Sequence, residues 1–148
     1  MTGVVVRDGR LLEGVAPSAV WALVANPSRV GEWAGRRAVG YMGTELPSVG
    51  QVVFVAGRLV PDRRARRVEI LAWEAGHRYQ CGLPDRRLST ERRFDVVVSA
   101  EVEPGAAAAR IQLTLRAVVV SWIANPWRAV AARRLAKMLD RVERALRQ

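Results

Sequence analysis

The sequence predicts an α+β fold in which a curved antiparallel sheet of six to seven strands wraps a long C-terminal helix, with two short helices after the first strand. Three observations carry this. The patterns run in the order strand, two short helical stretches, a meander of strands, then one long amphipathic run. Two strand patterns alternate apolar and polar residues cleanly, which gives the sheet one face to bury. The C-terminal run is the one apolar helix large enough to cover that face.

Taken in order, Val4–Val15 reads as the first strand, with a turn at Asp8-Gly9. Pro17 opens a short helix through Ala25, and Asn26-Pro27 opens a second to about Trp33, Asn being a good N-cap and Pro a good first helical residue. Strand patterns follow at Ala38–Met42, Gln51–Val60, Arg66–Glu74, His77–Leu83, Glu91–Glu103 and Arg110–Val120, parted by Pro, Gly or charged turn residues. In the fifth of these, Phe94, Val96, Val98, Ala100 and Val102 share a face; in the sixth, Ile111, Leu113, Leu115 and Ala117 do. From Asn125-Pro126 onward, Trp127, Val130, Ala131, Leu135, Met138, Leu139, Val142 and Leu146 fall on one face of a helix about 20 residues and ~30 Å long. Asp140 with Arg144, and Glu143 with Arg147, are expected to pair along its wet face.

With 148 residues, half of them hydrophobic, the chain suits one core and reads as one domain over residues 1–148. No apolar run approaches the roughly 20 residues that span a bilayer, the start lacks the basic-then-apolar layout of a leader, and the single cysteine, Cys81, forms no internal disulfide. A cytoplasmic location is the expectation. The 24 basic residues exceed the 14 acidic ones, leaving +10, a field that favours anionic partners. Only Lys137 is lysine, so arginine is the general cation of this chain, and position rather than abundance must show which arginines matter. Nucleic-acid binding is the weakest reading of that charge, because no recognised module is present and only two Tyr and two Phe are available for stacking.

Reactive motifs are missing: there is no Gly-rich phosphate loop with Lys, no Cys-x-x-Cys, no His-Glu-x-x-His and no Gly-x-Ser-x-Gly. One His, one Cys and scattered carboxylates offer no metal set. His77, Tyr79, Cys81 and Leu83 alternate with Arg78, Gln80 and Gly82, which puts the single His and the single Cys on one strand face. Four residues along a strand span about 13 Å, too far for a Cys–His pair. Tyr79, mid-strand and inward, is the stronger candidate for hydrogen bonding a ligand carbonyl or enol, with His77, beside the Ala75-Gly76 turn, as a second acid/base candidate.

The stretch Val15-Ala16-Pro17-Ser18-Ala19-Val20-Trp21-Ala22-Leu23-Val24 with Asn26-Pro27 and Glu32-Trp33, then Val49-Gly50-Gln51, Val68-Glu69-Ile70, and Glu103-Pro104-Gly105 leading into Arg110–Leu115, resembles the polyketide cyclase/dehydrase-like branch of the START and Bet v 1-like superfamily, the helix-grip fold. The resemblance covers nearly the whole chain. It implies a hydrophobic cavity between sheet and long helix, no cofactor, and no shared catalytic motif to carry over. In that cavity Tyr79, Cys81, Leu83, Phe94, Val96, Val98, Leu113, Leu115, Leu135, Met138 and Leu139 are the expected ligand-binding residues.

A topological argument places the mouth. Pro61-Asp62-Arg63-Arg64 and Pro84-Asp85-Arg86-Arg87 are both turns, and in an up-and-down meander alternate turns meet at one end of the sheet. Two further crossings bring the start of the long helix to that end. Arg63, Arg64, Arg86, Arg87, Trp122, Trp127 and Arg128 are therefore expected around the cavity mouth. Such a rim suits an anionic amphiphile, an acidic acyl carrier protein or an anionic membrane surface. Two functions fit: binding of a hydrophobic small molecule, with polyketide cyclase or dehydratase chemistry as its enzymatic form, or carriage of lipid without catalysis.

Overall fold

The computed structural model describes residues 1–42, 48–83, 92–100 and 107–148. The chain forms β1 (Thr2–Glu13), α1 (Pro17–Val24), a 3-10 turn at Pro27–Arg29, α2 (Val30–Trp33), β2 (Arg36–Met42), β3 (Val52–Gly57), a 3-10 turn at Asp62–Arg64, β4 (Arg66–Glu74), β5 (Arg78–Leu83), β6 (Arg92–Ala100), β7 (Ala108–Val119), a 3-10 turn at Ser121–Ile123, and α3 (Ala124–Leu146). The seven strands make one antiparallel sheet in the order β1-β7-β6-β5-β4-β3-β2. This is the expected α+β architecture: a meander closed by its first strand, with a long helix against one face.

Local chemistry accounts for most boundaries. Asn26 caps as expected, its Oδ1 accepting from the Ser28 N–H at 3.0 Å. Asn125 does not repeat the motif. It lies inside the first turn of α3 and accepts instead from Arg128 Nη1 at 3.1 Å. β1 runs through Asp8-Gly9 without turning, because residues on both sides pair continuously with β7 from Thr2↔Val119 to Glu13↔Ala108. His77 falls outside its expected strand: β5 begins at Arg78, and Gly76, with φ of 76°, supplies the left-handed residue that the β4–β5 turn needs.

The solid part of the core lies under α3. Leu135, Leu139 and Val142 pack with Leu12 of β1, Val20 and Leu23 of α1, Val96 and Val98 of β6, and Ile111 and Leu113 of β7, all of them shut off from solvent. On the rim of this contact Arg10 donates to Asp140 at 2.6 Å and to Glu143 at 3.2 Å, tying β1 to α3. The expected Asp140–Arg144 pair is thus replaced by a partner on the sheet, while Glu143 and Arg147 do pair, at 3.2 Å.

At the other edge the sheet bends away. Val39 on β2 and Leu71 on β4 are each one residue more than the facing strand has, since Ala38↔Val55 is followed by Gly40↔Phe54, and Ile70↔Cys81 by Ala72↔Gln80. Bulges of this kind bend a strand and increase its twist. Both sit on strands far from β1 in the sheet order, the side on which α3 does not rest.

Candidate functional site: a cavity between sheet and helix

Between the bent strands and α3 lies a cavity of about 810 Å³, within the range of roughly 300–1,000 Å³ usual for small-molecule sites. Its sheet wall is apolar: Val53 and Val55 of β3, Val68, Ile70 and Trp73 of β4, Tyr79 and Cys81 of β5, Phe94 of β6 and Leu115 of β7. Trp33 of α2 closes one side, stacked on Phe94 with ring centroids 6.1 Å apart. A second aromatic group joins Trp21 of α1 to Trp73 at 5.2 Å and to Tyr79 at 5.9 Å, with Trp73 and Tyr79 stacked at 5.7 Å. The tryptophans of the two short helices thus dock those helices onto the sheet through the cavity wall.

The structure divides the expected ligand-binding residues in two. Tyr79, Cys81, Phe94, Leu115 and Met138 line the cavity. Val96, Val98, Leu113, Leu135 and Leu139 do not: they are packed against one another in the solid core, because on that side α3 lies directly on the sheet and no space remains between them. The side chain of Leu83 lies outside the described residues.

Tyr79 is inward, but its O–H donates to the carbonyl of Val24 at 2.7 Å, a buried bond between β5 and the end of α1. Burial, and to a lesser degree the neighbouring Cys81, raises the phenol well above its ordinary pKa. Its proton therefore serves the fold. Cys81 is likewise pushed up to about 12, by burial first and then by the nearby charge of Asp95, so its thiol is neutral and poorly nucleophilic. His77 is exposed in the β4–β5 turn and is not part of the cavity wall. Its Nδ1–H donates to the Val98 carbonyl at 3.0 Å, and Nε2 stands 3.9 Å from Glu74. Among the described residues no group of three or more His, Cys, Asp or Glu gathers as a metal set.

The register brings the β3–β4 turn, the start of β6 and the approach to α3 to one end of the sheet. Val55 faces Arg66 at the β3–β4 turn, Leu83 faces Arg92 where β5 gives way to β6, and Arg92 faces Ala117 shortly before α3 begins. Of the rim residues, Arg64 and Trp127 line the cavity. Arg63, Trp122 and Arg128 are exposed and face solvent instead, while Arg86 and Arg87 lie outside the described residues.

Sequence reasoning missed the cations at the open end of the cavity, of which Arg36 and Arg141 are half-buried and Arg66, Arg92, Arg134 and Lys137 remain exposed to solvent. Arg36, Arg66 and Arg92 stand at the first positions of β2, β4 and β6 and line the cavity, with Arg134, Lys137 and Arg141 opposite them on α3. A signal was available: stepping back by two from Ile70 and Val68 reaches Arg66, and from Phe94 reaches Arg92, so the apolar inward series of each strand ends in an arginine. No Asp or Glu lies among the described residues that line the cavity.

Solved structures share this architecture. A protein from Thermobifida fusca, solved in solution by NMR, superposes with a TM-score of 0.73 at 14% identity, covering 94% of this chain and 90% of its own. Norcoclaurine synthase from Thalictrum flavum superposes at 0.65 with 9% identity over 99% of this chain and 88% of its own. The same enzyme in complex with dopamine and hydroxybenzaldehyde gives 0.61 at 13% identity, over 97% and 87%. The fold is accordingly of the Bet v 1-like, helix-grip type. At these identities the likeness is one of fold alone. No protein-family model matches the chain, and no curated protein matches it in sequence.

Proposed function

We propose that this protein binds a small molecule with a substantial apolar part in the cavity between sheet and helix, a flexible polyketide-like or acyl chain being the class that suits it. The observation that carries the reading is the cavity itself, an 810 Å³ space walled by valines, Ile70, Phe94 and the Trp73–Tyr79 stack, on a fold where α3 could have closed it. If a reaction occurs there, holding a flexible chain in one reactive fold is the main contribution available. The phenol of Tyr79 is engaged with Val24, and His77 is outside the wall, so polarisation of a carbonyl falls to the guanidinium groups rather than to the two residues the sequence suggested.

Binding of the neutral fluorophore N-phenyl-1-naphthylamine tests this. The native protein should enhance its emission with one site, and Val68→Trp, which fills the wall, should lower its affinity at least tenfold while thermal unfolding remains cooperative. Equal binding by the folded variant would sink the cavity reading. A second reading, docking on an anionic membrane, rests on two large apolar side chains left in water near the mouth, Leu59 (98% exposed) and Trp122 (82% exposed). No helix among the described residues is long and apolar enough to cross a membrane, so such docking would be peripheral.

A further inference from the structure

The cavity has a polar end that its apolar wall does not explain. Arg36, Arg66 and Arg92 begin alternate strands of the antiparallel sheet, whose starts therefore lie at the same end, and all three line the cavity with Arg134 of α3. Some arginines do find carboxylates: Arg10 pairs with Asp140 and Glu143, Arg29 with Glu32, Arg147 with Glu143. The contrast is sharpest between neighbours. Arg37, next along β2, pairs with Asp62 and donates to the Val60 carbonyl at 2.7 Å, bracing the β3–β4 turn. Arg36 has no carboxylate partner among the described residues, nor have Arg66, Arg92 and Arg134.

Such a cluster is costly to the empty protein. Partial burial, then repulsion from Arg134, Arg66 and Arg92, lowers the pKa of Arg36 below its ordinary value. Among the described residues, Arg36 and the three guanidiniums that repel it share one end of an apolar space with no carboxylate beside them. One carboxylate supplies a single negative charge and two oxygens. A phosphate monoester brings about −1.5 to −2 and three strong acceptors, which match several guanidinium forks at once. From Arg66 to Ile70 the wall runs about 13 Å deeper at 3.3 Å per residue, turning from cationic to wholly apolar.

We infer that the ligand is an amphiphile with a phosphate-type head, the head held by Arg36, Arg66, Arg92 and Arg134 and the apolar body lying on Ile70, Trp73 and Phe94. This rests on the cavity reading above and adds the chemical class of what fills it. Lys137 and Arg141, further along α3, extend the positive field without being required for the head contact.

Isothermal titration with dodecyl phosphate, 1-dodecanol and inorganic phosphate, alongside the neutral fluorophore, tests it. Dodecyl phosphate should bind on the order of 10- to 100-fold more tightly than dodecanol, the difference expected from charge-assisted hydrogen bonds. Inorganic phosphate alone should compete only weakly. Arg36→Gln and Arg134→Gln should each shrink the phosphate-over-alcohol ratio toward one and raise the unfolding temperature of the ligand-free protein by relieving repulsion. Equal affinity for dodecyl phosphate and dodecanol, with the fluorophore still bound, would overturn the head-group assignment and leave the cavity reading intact. Inorganic phosphate binding as tightly as dodecyl phosphate would overturn the amphiphile and leave a plain anion site. Failure of fluorophore and amphiphiles alike would remove both readings.

Discussion

The two halves of the sheet meet α3 in different ways. Toward β1 and β7 the helix lies directly on the sheet: Leu135, Leu139 and Val142 fill the space against Leu12, Ile111 and Leu113, and Arg10 ties the rim to Asp140 and Glu143. Toward β2, β3 and β4 the sheet has bent away, the wall is equally apolar, and Arg36, Arg66, Arg92 and Arg134 have no carboxylate partner among the described residues. The pKa directions record the difference. Arg10 loses some solvation, but its bonds and proximity to Asp140, and then to Glu143, outweigh that and raise it; Arg36 is lowered by burial and by its own kind. One half holds the fold together and the other keeps a space open, with the same side-chain types in both.

The largest expected effect separates those roles. Leu135→Ala removes a side chain with no room to relax and should cost about 2–5 kcal/mol in urea unfolding, with fluorophore affinity held in the fraction that remains folded. Met138→Ala, one turn later in the helix, half-buried and lining the hollow, should cost less, about 1–2 kcal/mol from the apolar surface it still buries, and change ligand affinity as well. Comparable losses at the two sites would mean that the hollow is packed as tightly as the core. Tyr79 stands on the border, and Tyr79→Phe leaves the buried Val24 carbonyl without its donor, an expected loss of about 1–3 kcal/mol, with binding of the neutral probe unchanged. A fall in probe binding without a fall in stability would return Tyr79 to a direct ligand role.

The smallest effect is confined to alkaline pH. Folded Cys81 keeps its proton up to about 12, against an ordinary value of 9.0. Below pH 9 both folded and unfolded thiols are protonated and the full contribution is present; between pH 9 and about 12 the unfolded chain ionises first, so stability falls as pH rises. Cys81→Ala should flatten part of that decline, the remainder belonging to Tyr79, whose pKa moves the same way. Urea midpoints at pH 8, 9.5 and 11 measure it, and parallel curves for the two proteins would place Cys81 in contact with solvent.

What the sequence disclosed follows the same division. The long helix, the alternation of β6 and β7 and the meeting of the β3–β4 turn with the approach to α3 at one end of the sheet were all readable, because periodicity reports which face of an element is apolar and turn order reports which ends meet. It does not report whether two apolar faces touch. Val96, Leu113 and Leu135 carry the same inward pattern as Phe94, Leu115 and Met138, yet the first three are core and the second three are wall. The cavity arginines were hidden differently: Arg66 and Arg92 adjoin other arginines beside turn residues, so each reads as part of a solvated run. Val39 and Leu71 shift the alternation of their strands by one, which pattern alone cannot see. Arg10 took Asp140 from Arg144 across 130 residues of chain, a contact that helical spacing cannot anticipate.

The bulge at Leu71 makes the size of the hollow a matter of counting. The strand carries one residue beyond its partner's tally, and a Cβ built on Gly82 would come within 2.8 Å of Leu71 Cδ1, so the surplus side chain lies over the one position of β5 that offers only hydrogen. Removing that single residue would leave Ile70 and Trp73 on their present side, two steps apart as in an unbroken strand, while drawing the wall straight. A lineage could therefore widen or narrow this space by insertion and deletion, leaving every lining residue as it is. Shape and chemistry are set by separate letters of the chain.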